Sequence, residues 1–212
     1  MKLKICGMKY PDNMLEVGSL LPDYMGFIFW EKSARYFDGS IPVLPDSVKK
    51  TGVFVNASQE EILEKVKKHD LQAVQLHGKE SVAFCNELKT KLPTGIEIIK
   101  VFSVDENFDF ETIKPYEEVA DYFLFDTKGK LPGGNSIVFD WTVLKNYPST
   151  KPFFLSGGIG MDEMEAVSDI LKTDLPIYAI DVNSKFEVEP GLKNIRLCKD
   201  VAQYIDTAIN KK

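Results

Sequence analysis

The sequence predicts an α/β fold of the (β/α)8 kind, a single TIM barrel with eight parallel strands, on three observations. Eight short β-like segments recur with starts roughly 20 to 30 residues apart, which leaves room for one helix and two loops in every interval. A chain of 212 residues, 44% hydrophobic and 27% charged, matches a barrel, since such folds commonly run to about 200 to 250 residues as one domain. No GxGxxG follows the first segment, which disfavours the open doubly wound sheet that also alternates strands with helices. Residues 1–212 show no linker, low-complexity tract or shift in composition, so one barrel domain is expected.

The strand-like segments are Lys2 to Cys6, Met25 to Phe29, Thr51 to Val55, Gln72 to Leu76, Glu97 to Phe102, Asp121 to Asp126, Pro152 to Ser156 and Ile177 to Val182. Side chains alternate along a strand, so in the first of these Leu3 and Ile5 face the helices while Lys2, Lys4 and Cys6 face the interior. Cys6 then stands at the carboxyl end, the rim on which barrel active sites are built. A lone strand cysteine is also, commonly, a small buried hydrophobe.

Between the strands, Pro11 marks a first helical turn ahead of Met14, Leu15 and Leu20. Pro42 and Pro45 confine the second interval to a short helix at Asp46 to Lys50 and leave Trp30 to Leu44 as a long loop. Ser58 and Glu61 form a capping-box pattern before Ile62, Leu63 and Val66. Glu80 to Lys91 puts Phe84, Leu88 and Leu92 on one stripe. Phe108 to Glu118 and Phe139 to Asn146 are weaker helices, and Asp162 to Lys172 is a clearer one. A last helix from Asn194 aligns Leu197, Cys198, Val201, Ile205 and Ala208 and closes the ring.

A net charge of −6 offers no basic field for a nucleic-acid backbone, and no apolar run reaches the ~18 residues of a membrane span. A cytoplasmic protein without nucleic acid or membrane as partner is expected, with a monomer as the default. Three widely spaced cysteines make no metal-ligand or CxxC pattern, so reduced thiols and no metal are expected; Cys85 and Cys198 read as core.

Three features of the rim bear on chemistry. Phe153 to Gly160 runs a strand into Gly157, Gly158 and Gly160 ahead of a helix, bringing bare backbone N–H groups to an anion, and Asn183, Ser184 and Lys185 after the eighth strand, with a helical turn near Pro190-Gly191, supply further donors. Glycines also serve simple turns. Asp126 ends an apolar strand; a carboxyl of pKa ~3.9 is almost wholly ionised at neutral pH, so an acid role requires surroundings that raise it, such as an apolar pocket. Otherwise it is a turn former. On the long loop, Arg35 among aromatics has the planar fork that grips a carboxylate, although loop arginines are also plain surface charges. Gln75 and His77 share one face at the end of strand four, placed to orient substrate hydroxyls; His77 also fits a residue leading into a helix. His69 reads as a charge at a helix C-terminus.

With these residues in order, the chain resembles the phosphoribosylanthranilate isomerase family of tryptophan biosynthesis over nearly its whole length. The matching motifs are Lys4-Ile5-Cys6-Gly7, Gly26-Phe27-Ile28-Phe29, Ser33-Ala34-Arg35-Tyr36, Gly52-Val53-Phe54-Val55-Asn56, Val74-Gln75-Leu76-His77-Gly78, Leu124-Phe125-Asp126-Thr127, Leu155-Ser156-Gly157-Gly158 and Asp181-Val182-Asn183-Ser184. The resemblance implies a barrel enzyme that converts N-(5-phosphoribosyl)anthranilate to its 1-deoxyribulose 5-phosphate isomer by an Amadori rearrangement, with no cofactor. It further implies Asp126 as general acid, Cys6 as general base and Arg35 as receptor of the anthranilate carboxylate. A base role for a thiol of pKa ~8.5 calls for cations such as Lys4, or helix N-termini, to lower it. Two departures stand out: Asn183-Ser184-Lys185 stands where the family pattern continues Ser-Ser-Gly, and Met8-Lys9 replaces Ile-Thr. Rival readings are a related aminoaldose isomerase of the histidine-pathway type, against which Cys6 argues, and a barrel that binds phosphometabolites without turnover.

Overall fold

Strand parity organises the molecule. In the computed structural model, which describes residues 1–127 and 141–209, the strands β1 (Lys2–Ile5), β2 (Tyr24–Ile28), β3 (Lys49–Phe54), β4 (Ala73–Leu76), β5 (Glu97–Val104), β6 (Tyr122–Thr127), β7 (Phe153–Ser156) and β8 (Ile177–Val182) pair in parallel and in sequence order. β1 returns to β8, with Lys4 opposite Asp181, and closes the barrel. The Cys6 N–H continues this ladder by donating to the Val182 carbonyl at 2.9 Å.

Alternate residues fill two separate cores. Leu3, Ile5, Phe27, Phe54, Val74, Ile98, Phe123 and Phe153 face outward under the helical layer, while Tyr24, Ala73, Ile99, Val101, Leu124, Phe154 and Ala179 fill the barrel. Tyr24, Tyr122 and Tyr178 close the amino end: the Tyr24 hydroxyl donates to Glu97 at 3.0 Å, and the Tyr122 and Tyr178 rings stack at 4.4 Å. The interior below the rim is thereby packed, and the open space is left at the carboxyl ends.

The helical layer is α1 (Pro11–Ser19), α2 (Gln59–His69), α3 (Val82–Lys91), α4 (Met164–Leu171) and α5 (Ile195–Ile209). α1 starts at Pro11, but it buries Asn13, Met14 and Val17 and leaves Leu15 half exposed, because Asn13 is drawn inward to bond both backbone groups of Lys193. Ser58 accepts from the Glu61 N–H at 3.1 Å, while Glu61 makes no return bond among the described residues, so only half of the capping box forms. The expected helix at Asp46 to Lys50 is absent: a turn from Pro45 to Val48 hands directly to β3, whose Lys49 and Lys50 pair with Tyr24 and Met25. α3 begins two residues later than expected, capped by Ser81, and its buried stripe is Cys85 and Leu88. Asp162 to Lys172 splits into a 3₁₀ turn, Met161–Glu163, and α4. α5 buries Cys198, Val201 and Ile205 as its spacing predicts; Ala208 lies outside the side chains described.

Where α-helices were expected after β5 and β6, 3₁₀ segments stand at Phe110–Tyr116 and Trp141–Asn146; the start of the second expectation, Phe139, lies outside the described residues. Pro115 removes a donor and crowds the preceding turn, which shortens the first segment. Aromatic bulk covers the strands there instead, with Phe125 against Phe153 at 4.9 Å and Tyr147 at 5.3 Å. His69 is a further correction. It is buried beside Phe29, 5.1 Å between rings, and burial followed by Lys68 pulls its pKa down, so it is an aromatic filler at the end of α2 and not a terminal charge.

At the carboxyl end of β4, a buried pair fixes the turn that follows. Lys100 donates to Glu80 at 3.0 Å and to the Gly78 carbonyl at 2.9 Å, and Glu80 accepts from the N–H groups of Gly78 and Asn56. Both side chains are almost wholly buried. Replacing Lys100 with Met strands the Glu80 carboxylate, and because breaking a buried pair from one side costs about 3–5 kcal/mol, urea unfolding of Lys100→Met is expected to show a loss of that order; a loss below about 1 kcal/mol would remove this pair as a constraint.

Candidate active site

The carboxyl ends of the strands surround a cavity of about 180 Å³ lined by Cys6, Gln75, His77, Asp126, Ser156, Gly157, Gly158, Asp181, Asn183 and Ser184, with Ile28, Val53 and Ile159 as its apolar walls. Eight of the nine residues singled out from sequence therefore converge, from β1, β4, β6, β7 and β8. A larger cavity of about 550 Å³ lies between the 40–48 loop and the end of α2, toward the amino ends of β3 and β4. It contains none of these residues and no arrangement for the same chemistry.

Cys6 owes its seat to a neighbour. A side-chain carbon on Gly26 of β2 would stand 2.6 Å from the Cys6 Sγ, so only glycine leaves room for the sulfur. Beneath it, the fully buried Lys4 Nζ lies 2.7 Å from Asp181 Oδ1, and the other Asp181 oxygen accepts from the Ser156 hydroxyl at 3.0 Å. The sequence-based expectation of a lowered Cys6 pKa is overturned. Burial pushes the thiol up; Lys4 and Lys193 pull against it, Asp181 adds to it, and the balance stays above the ordinary value. Lys4 is present as expected and pulls the thiol down, but burial outweighs it. Cys85 and Cys198 sit in the core, where burial pushes each thiol up to about 11.

Asp126 is partly open and faces His77, with His77 Nε2 3.5 Å from Asp126 Oδ2. Gln75 Nε2 lies 3.0 Å from His77 Nδ1, while Gln75 Oε1 is buried without a partner among the described residues. With the amide donating, Nδ1 accepts and His77 Nε2 carries the hydrogen toward Asp126.

Gly157 and Gly158 have φ of 95° and 65°, a left-handed pair that turns backbone N–H groups into a concavity suited to an anion. Nothing stands within 4 Å of the side-chain position of Gly158, so the space above it is open. Across the cavity mouth, β8 passes through Asn183 into a 3₁₀ turn, Ser184–Phe186. Pro190 and Gly191 form no helical turn; they join the hairpin of β9 (Glu187–Glu189) and β10 (Leu192–Lys193). Lys185 bonds Glu163, whose second oxygen accepts from the Gly160 N–H at 2.9 Å.

Arg35 stands outside the cavity lining. Its guanidinium is gripped by Glu187, with Nε 2.9 Å from Oε1 and Nη2 2.6 Å from Oε2. Burial pushes the Glu187 carboxyl up, but its bonds to Arg35 and Lys193 outweigh burial and hold it below the usual range. Asp181, Glu187 and Lys193 were not singled out from sequence as site residues. Asp181 was legible, since it shares the inward parity of Lys4 on the neighbouring strand; Glu187 and Lys193 carried no such signal, because the hairpin that turns them inward has no regular period.

The family model described as PRAI, N-(5'phosphoribosyl)anthranilate (PRA) isomerase, matches residues 3–204. The chain belongs to this family. Among family members, it is 41% identical to the N-(5'-phosphoribosyl)anthranilate isomerase of Parabacteroides distasonis, over 97% of this chain and 93% of that protein. It also superposes on a phosphoribosyl anthranilate isomerase solved with reduced 1-(o-carboxyphenylamino)-1-deoxyribulose 5-phosphate, at a TM-score of 0.80 and 29% identity over 98% of this chain and 99% of the other. Monomers made from the dimeric Thermotoga maritima isomerase match at a TM-score of 0.75 and 28% identity, over 99% and 98% of the two chains.

The raised Cys6 pKa is open to direct measurement. Thiolate, not thiol, reacts with iodoacetamide, so alkylation of Cys6 followed by peptide mass spectrometry is expected to be slower than that of free cysteine at pH 7.5 and to keep rising with pH beyond 9. Rapid labelling at pH 7, level with pH, would show a thiolate already formed and contradict the electrostatic balance described.

Proposed function

We propose that Cys6 and Asp126 carry the two proton transfers of an aldose–ketose isomerisation in this cavity. The chain is a phosphoribosylanthranilate isomerase of tryptophan biosynthesis, and the observation that carries the assignment of roles is that a sulfur from β1 and a carboxyl from β6 line one space together with the left-handed glycine pair after β7.

Asp126 gives its proton to the furanose ring oxygen as the C1–O bond breaks, and the anilino nitrogen supplies the electron pair that forms the iminium. The carboxylate left behind is steadied by the His77 Nε2–H that faces it. The iminium makes the C2–H acidic, and Cys6 removes that proton as general base. The resulting enolamine tautomerises to the ketone. A thiol held above its ordinary pKa is less often ionised but is a stronger base when ionised, and Lys4 and Lys193 are the cations that stabilise the thiolate. Gly157, Gly158, Asn183 and Ser184 receive the phosphate through backbone and side-chain donors. Arg35 receives the anthranilate carboxylate, and Gln75 orients the sugar through its bond to His77.

The cavity is built from the strands of one closed barrel, which supports a single-domain enzyme, and we propose that it acts as a monomer in the cytoplasm. No helix among the described residues is long and apolar enough to cross a membrane. Purified protein is expected to deplete the fluorescence of N-(5'-phosphoribosyl)anthranilate without added metal or nucleotide, and to restore growth to a tryptophan auxotroph lacking this isomerase. Cys6→Ala and Asp126→Asn are each expected to lower kcat at least about 100-fold, the lower bound for a general acid or base, with little change in inhibition by inorganic phosphate. Turnover close to wild type in either variant would take that residue out of its role, and tight binding without turnover by the wild type would favour a barrel that only binds.

A further inference from the structure

We infer that Glu187 is the positioning residue for recognition of the aromatic carboxylate: it fixes one edge of the Arg35 guanidinium so that the other edge is presented to the substrate, while Lys193 cancels the charge of Glu187. The inference rests on the role of Arg35 given above and adds what sets its orientation and its specificity.

A guanidinium has five N–H donors on two usable edges. Glu187 takes the Nε edge, with Nε 2.9 and 3.0 Å from its two oxygens and Nη2 2.6 Å from Oε2. The Nη1 hydrogens and the second Nη2 hydrogen have no partner among the described residues. That free edge is a second fork of the shape that binds a carboxylate through parallel hydrogen bonds. The arginine stem is held as well: a side-chain carbon on Gly7 would lie 2.8 Å from Arg35 Cδ, so the stem runs against the backbone immediately after Cys6.

Charge makes the arrangement selective. The Glu187 side chain is 4% exposed and that of Lys193 is fully buried. The Lys193 ammonium meets three acceptors, Glu187 Oε1 at 2.7 Å, Asn183 Oδ1 at 2.8 Å and the Asn183 carbonyl at 3.2 Å, one for each of its hydrogens. Glu187 also accepts from the Gly191 N–H at 3.1 Å. Two cations around one carboxylate leave a single unmatched positive charge beside the cavity, the complement of one bound carboxylate. Because Lys193 also holds Asn183, which lines the cavity, the same network ties the carboxylate end of the site to the phosphate end.

The test compares the natural substrate with the analogue built on aniline, which lacks the carboxylate, in wild type, Glu187→Gln and Glu187→Asp. Wild type is expected to prefer the carboxylated substrate. Glu187→Gln is expected to raise KM for that substrate about ten- to a hundredfold, the effect of losing a hydrogen bond to a charged group. The loss on the carboxylated substrate should exceed any change on the aniline analogue by about tenfold or more, and Glu187→Asp should recover part of the preference. General damage to the fold would depress both substrates alike and overturn the inference, as would unchanged discrimination in Glu187→Gln. A lower KM in that variant would show Glu187 competing with the substrate for Arg35 and would also overturn it. If wild type itself does not discriminate, the role of Arg35 fails first, which separates the two claims. Nitrogen-15 NMR of Arg35 in the wild-type protein adds a readout that needs no variant: on adding the reduced carboxyphenylamino-deoxyribulose phosphate, the Nη1 signals should move while the Nε–H stays bonded. Movement of the Nε–H would indicate displacement of Glu187.

Discussion

Closure of the barrel through the pairing of β1 with β8 is the constraint on which the site depends. It sets Lys4 opposite Asp181, and because side chains alternate with a period of two, a slip of one residue would turn Lys4 and Cys6 out among the helices and Leu3 and Ile5 in. Leu3 and Ile5 are buried beneath the helical layer, so the apolar effect that seats them also holds Lys4 inside. Lys4 could not remain there without a partner, since an isolated ammonium costs many kcal/mol to bury. Asp181 meets it at 2.7 Å and passes the constraint to Ser156 on β7.

Among the described residues, three buried charge systems stand at or just below the rim: Lys4 with Asp181, Lys100 with Glu80, and Glu187 between Arg35 and Lys193. Such pairs contribute little net stability against well-packed apolar alternatives. Their effect is geometric. Each fixes a segment that carries a site residue: the rim beside Cys6, the turn after His77, and the hairpin beside Asn183. The amino end, by contrast, is plugged by tyrosines and apolar side chains, so the cavity opens at one end of the barrel.

Much of this was legible in the sequence because strand period and glycine position are local signals. All eight strands lie within a few residues of where alternation placed them, and Cys6, Gln75, His77, Asp126, Gly157, Gly158, Asn183 and Ser184 line the cavity. What failed depends on partners distant in the chain. Lys49 and Lys50 read as helical until β2 is available to pair with them. The His69 and Cys6 environments are set by burial, which no nearby residue reports. Arg35 was read as a free receptor, and its tie to Glu187, more than 150 positions away, appears only when the hairpin after β8 folds back.

The seat of the Cys6 sulfur is provided by a residue with no side chain, on a different strand. Gly26 shapes the rim by what it omits, and a survey that truncates residues one by one would pass over it, having nothing to remove. Its contribution becomes visible only by adding atoms. A single methyl there would crowd the thiol while leaving every reactive group of the enzyme intact.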